Sequence, residues 1–154
     1  MLETIRQLFA HDAWANTRIL NATTHQKALN LLTHLLVSEQ IWLLRIRGED
    51  TSGINKSPEL NATDCVKLAD ENRKSIAELL ASLSEERLSS KVIYKNFKGH
   101  EFQTPLGEIL LHVALHGTYH RGQIARVMRE NGETPVDTDF ITFVRQQDRS
   151  ILDR

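Results

Sequence analysis

The chain has 154 residues, 40% hydrophobic and 25% charged, the proportions of a globular protein long enough to bury one sizeable core. A formal net charge of −1 provides no basic surface for a nucleic-acid partner, and one cysteine, Cys65, excludes an internal disulfide and fits a reducing compartment. No apolar run approaches a membrane span and the N-terminus is amphipathic rather than signal-like, so a cytoplasmic, single-domain protein over 1–154 with no membrane partner is expected.

A first helix is predicted from about Leu2 to Ala22, with Ile5, Leu8, Phe9, Ala13, Ile19 and Leu20 on one face. Asp12 and Asn16 fall on that same face. Burying them without partners would cost roughly 1–3 kcal/mol each, so they either serve a pocket or bond to backbone. His11 points away and is expected in solvent.

A second helix, about Ala28 to Arg47, is apolar nearly all round and should be the most buried element. His34 interrupts it, and Glu39 is either a solvated charge or a pocket carboxylate. A Gly/Ser/Pro/Asn-containing connection follows to Thr63. Asp64 is expected to cap a third helix, about Cys65 to Leu83, with Leu68, Ala69, Asn72, Ile76, Leu79, Leu80 and Leu83 facing inward. Cys65, opening that helix, reads as a small packing residue, with a reactive thiol as the alternative. The alternation over Lys91–Thr104, around Lys98-Gly99, reads as a β-hairpin lying over the bundle, with His100 exposed at its turn.

Thr104 and Pro105 are expected to start a fourth helix, which Asn131-Gly132 ends. Pro135 prevents its resumption, and Thr138 is expected to cap a short closing helix through Val144 or beyond. The fold class that follows is an all-α four-helix bundle carrying a short hairpin.

The fourth helix holds His112, His116 and His120 at spacings of four. Neighbours at that spacing share a face and can grip one ion, whereas the outer two lie about 12 Å apart along the axis and cannot. The stripe Leu106, Ile109, Leu110, Val113, Ile124, Val127 and Met128 decides between the pairs. His120 falls roughly 30° from its centre, His116 roughly 70° and His112 roughly 110°. His116 and His120 are therefore the expected ligand pair, His34 the third ligand from another helix, and His112 a pocket-edge or interface residue. Arg121 points outward by the same phase and reads as structural or dimer-forming.

The chain resembles the DinB/YfiT-like proteins over essentially its full length. The resemblance rests on His11-Asp-Ala-Trp-Ala-Asn16, the run from His34 to Trp42, and Thr104-Pro105-Leu106-Gly107. Its strongest part is Leu111-His-Val-Ala-Leu-His-Gly-Thr-Tyr-His-Arg-Gly-Gln-Ile124, followed by Gly132, Pro135, Asp139 and Phe140. It implies an up-down-down-up bundle, commonly dimeric, holding a divalent ion, often zinc or nickel, on three histidines that match His34, His116 and His120.

Three imidazoles with open positions suit a catalytic site, because structural zinc is usually closed by four protein ligands. The resemblance implies thiol-dependent S-transfer, with a low-molecular-weight thiol as partner, or metal-dependent hydrolysis. Asp12, Asn16, Glu39, His112, Tyr119 and Gln123 are the candidate pocket groups. A bundle that binds a metal or small ligand without turnover is the alternative, and a plain helical adaptor the third reading.

Overall fold

The computed structural model describes residues 1–152, with side chains through residue 147. Its elements are α1 (Leu2–Ala22), α2 (Gln26–Ile46), α3 (Ala62–Ala81), α4 (Glu85–Ser89), β1 (Lys91–Lys95), β2 (Glu101–Pro105), α5 (Leu106–Glu130) and α6 (Phe140–Leu152). Both α1 and α2 pack against α3 and α5, so the four long helices close a ring in the order α1–α3–α2–α5. Among the described residues, no helix is long and apolar enough to cross a membrane.

The helix ends show which local signals win. Asn61, not Asp64, caps α3: its side chain accepts from the Asp64 amide at 2.9 Å, which starts the helix before Cys65 and leaves Asp64 in the first turn. Thr104 does not cap α5. It belongs to β2, where its hydroxyl lies 3.2 Å from the Tyr94 hydroxyl, and Pro105 is the cap residue. The strand therefore runs directly into the helix, and the Leu106 amide donates to the Ser90 carbonyl. Thr138 does not cap α6 with its side chain either; the Thr142 and Phe143 amides donate to the Asp139 carbonyl. The α5 C-terminus follows expectation, with Gly132 at φ +79 in the left-handed region that side chains disfavour.

The interior is stratified. One apolar cluster gathers Ile5, Phe9, Leu83, Leu88, Leu106, Ile109, Leu110 and Val113. A second gathers Ile19, Ala28, Leu32, Leu35, Leu36, Cys65, Ile124 and Met128. Each fully buried Leu or Ile contributes about 1.5–3 kcal/mol of transfer free energy, so these clusters hold the helices together. Between them, each long helix switches to polar residues: Asp12 and Asn16 on α1, Glu39 on α2, Asn72 on α3 and Arg121 on α5, all buried. The hairpin, paired in the register Val92↔Thr104 and Tyr94↔Phe102, lies over α2 and sets the Tyr94 ring 5.0 Å from Trp42.

Candidate metal centre

Three imidazoles meet where α2 faces α5. His116 and His120, one turn apart, bring their Nε2 atoms to 3.1 Å, and His34 reaches them from α2 with ring centroids 4.7 Å from His120 and 5.7 Å from His116. One ring nitrogen from each lies within 4.8 Å of the other two, so the set could hold a metal ion. Ligand nitrogens on a tetrahedral ion at about 2.0–2.1 Å lie roughly 3.3 Å apart, close to the Nε2 separation of the α5 pair.

All three side chains are half-buried. Burial, reinforced by the neighbouring His120, His112 and His34 rings, pulls His116 down to about 4 from an ordinary 6.5. Burial also lowers His120, although a hydrogen bond to Gln123 opposes it. The neutral imidazole is the form that ligates, so both shifts favour ion binding by the α5 pair. His120 Nδ1 lies 2.8 Å from Gln123 Oε1; as donor to that amide oxygen it fixes the tautomer and leaves Nε2 its lone pair. His112 is exposed, with its ring 5.5 Å from Trp42 and 5.7 Å from His116, and stays at the site's margin. Tyr119 is 65% exposed, yet its ring meets His120 edge-on at 5.2 Å.

Behind His116, a cavity of about 10 Å³ lined by Asp12, Ser38, Glu39, Trp42 and Gly117 separates the imidazoles from the polar layer. One sequence expectation fails there. Arg121 does not point outward. It is buried, pairs with Asp12, and donates from Nη1 to Asn16 Oδ1 at 3.1 Å and from Nη2 to Thr118 Oγ1 at 3.1 Å. The long side chain turns back from the margin of the α5 stripe toward α1. Gly117 leaves room for it, since a Cβ there would stand 2.6 Å from Asp12 Oδ1 and 3.0 Å from Arg121 Nη1.

His11 is the second correction. It is buried rather than solvated: its Nε2 lies 2.8 Å from the Thr138 carbonyl, and the rings of Phe140 and Phe143 cover it at 5.3 and 5.6 Å.

Glu39 is a buried carboxyl, not a surface charge. It accepts from Asn72 Nδ2 at 2.8 Å and is hydrogen-bonded to Asp12. Desolvation first, then the Asp12 charge and that hydrogen bond, raise its pKa well above the ordinary 4.5. Glu39 is thus the protonated member of the pair and donates to Asp12. The layer then carries one carboxylate against one guanidinium and is electrically balanced. Cys65 is inert by the same physics: burial pushes its thiol up, and Thr33 Oγ1, at 3.3 Å, is the hydrogen-bonding partner of its sulfur among the described residues.

The comparisons agree with one another. Residues 1–150 match the model of the DinB family. The chain is 27% identical over 159 aligned positions to Protein DinB of Bacillus subtilis (strain 168), covering 87% of this chain and 90% of that protein. The crystal structure of a DinB-like protein from Bacillus cereus ATCC 10987 superposes with a TM-score of 0.66 at 19% identity, over 88% of this chain and 95% of that one. Architecture and full-length match together make this chain a member of the DinB family.

Proposed function

We propose that His34, His116 and His120 bind one divalent ion, zinc or nickel, and that the protein is a metal-dependent enzyme catalysing thiol S-transfer or hydrolysis. The observation that carries this reading is the meeting of three half-buried imidazoles from two helices, with no fourth protein ligand in their cluster among the described residues. Such an ion supplies Lewis-acid chemistry, acidifying a coordinated water or thiol. The chain's own residues do the rest: Gln123 orients His120, and Trp42 and Tyr119 wall the approach with apolar surface. The Asp12–Glu39 pair backs His116 without competing for the ion, since Arg121 already balances its one negative charge.

A low-molecular-weight thiol is the co-substrate this reading favours, because a soft thiolate suits an imidazole-bound borderline metal. A homodimer fits the α5 surface, where Leu115 (67% exposed) and Tyr119 stand four residues apart beside His112. The test is elemental analysis of untagged protein, followed by a screen of thiols against electrophiles. One ion per chain and turnover, both abolished in His120→Ala, support the enzyme. Stoichiometric ion without product in any assay leaves a binding module, and no retained ion overturns the reading.

A further inference from the structure

A second polar feature lies away from the histidines, at the far end of α2. Arg45 is only 7% exposed, yet no carboxylate pairs with it among the described residues. Its one side-chain hydrogen bond among the described residues runs from Nε to Thr51 Oγ1 at 3.4 Å. Aromatic faces take the place of a counter-ion: the guanidinium carbon lies 4.9 Å from the Trp42 ring, 5.1 Å from Phe97 and 5.5 Å from Tyr94. Cation–π contacts of this kind, and a position in the last turn of α2, where the helix dipole is negative, make the charge tolerable. They use the flat of the guanidinium, not its hydrogen-bonding edge.

That edge has somewhere to go. Arg45 lines a cavity of about 600 Å³ between the α2–α3 connection and the hairpin. Among the described residues, no fully buried side-chain nitrogen lacks a hydrogen-bond partner, so the two Nη groups, which make none, keep some exposure on a residue that lines this space. Three acidic residues also line it: Asp50 is engaged by the Ser52 amide and hydroxyl at 2.9 Å each, Glu101 stands across the hairpin from Lys95, a second cation on the lining, and Glu49 is exposed to solvent.

We infer that the Arg45 cavity is a binding site for the oxyanion of a small molecule, a carboxylate or a phosphate group, held by the guanidinium edge. The planar fork of Arg matches both groups in two-point geometry, and the aromatic collar holds the fork in place before anything binds. The cavity is larger than a bare oxyanion needs, so the group belongs to a bigger molecule whose apolar part meets Phe97 and Tyr94. The inference is independent of the metal, because Arg45 and His34 are eleven positions apart on α2, about 16 Å along its axis.

Trp42 reports on the site directly. In full-length protein carrying Trp14→Phe and treated with chelator, inorganic phosphate and acetate are titrated separately at constant ionic strength. A saturable change in Trp42 emission is expected with at least one. The arm that saturates at lower concentration identifies the oxyanion. Arg45→Met, which keeps the apolar stem, should weaken the response at least tenfold, and His120→Ala should leave it intact. Should the Met variant not fold, the Arg45 Nε–H resonance of the unsubstituted protein must shift on titration. An unmoved Arg45 resonance, no saturation with either anion, or a response lost in His120→Ala and kept in Arg45→Met would each overturn the site.

Discussion

Two polar regions share this bundle's interior, and they are built on opposite plans. In the layer of Asp12, Asn16, Glu39, Asn72 and Arg121, donors and acceptors are matched to one another across the four long helices. At the seam of α2 and α5, His34, His116 and His120 turn ring nitrogens toward each other and, among the described residues, find one further hydrogen-bond partner, Gln123. Burial first, and then the neighbouring rings, oppose a proton in that arrangement and lower the His116 pKa. The first plan spends polar groups on the fold's register. The second leaves them to be completed by something from outside.

Breaking the layer should therefore cost most. Arg121→Met strands the Asp12 carboxylate among buried groups, and a loss of about 3–5 kcal/mol is expected in urea unfolding. Adding Asp12→Leu should return a large part of that loss, because the stranded charge is then gone. If both variants unfold alike, the pair's value lies in packing rather than charge balance.

The histidine seam should respond to metal instead. Loading to about 100 times the dissociation constant should raise stability by roughly 2.7 kcal/mol, a gain removed by chelation. His116→Ala and His120→Ala should abolish the gain while leaving chelated protein folded, since both side chains are only half-buried. A chelated variant that unfolds at room temperature would show the seam to be structural after all.

Gly117 joins the regions. In Gly117→Ala, the added methyl meets the buried carboxylate and guanidinium of Asp12 and Arg121 rather than the loose end of a surface chain. A loss of about 1–3 kcal/mol in thermal unfolding is expected, smaller than for Arg121→Met because the charges remain paired. A variant as stable as the parent would mean that the Arg121 side chain can shift freely.

The same contrast explains what could be read in the chain beforehand. Apolar spacing places the four long helices to within a few residues, and helical phase selects His116 and His120 because both face the stripe of their own helix. Phase fails where a residue answers to a second neighbour. Arg121 lies off the α5 stripe, but α5 packs against α1 as well as α2, so its buried arc is wider than one stripe and a long side chain can turn into it. His11 fails for a longer-range reason: its cover comes from Thr138, Phe140 and Phe143, far along the chain. Asn61 and Asp64 are both capable caps one turn apart, and local preference alone does not choose between them. The Arg45 collar depends on the hairpin folding back over α2, which no local pattern around Arg45 records.

The smallest expected effect is the most discriminating. Glu39→Gln replaces a protonated carboxyl with an amide of the same shape, able to accept from Asn72 and donate to Asp12. With its hydrogen bonds kept, stability near pH 5 should change by less than about 1 kcal/mol. The difference lies in the pH profile. Because the folded Glu39 pKa stands above the ordinary 4.5, its contribution is fully present below that value and lost as pH rises through the folded value. His116 runs the other way: held to about 4, it contributes stability above about 6.5 that is lost as pH falls toward 4. In chelated protein, urea unfolding from pH 5 to 9 should show the Gln variant gaining on the parent as pH rises, while both weaken alike on the acid side. Parallel curves throughout would mean that Glu39 is ionised in the native layer, and the balance of one carboxylate against Arg121 would have to be redrawn.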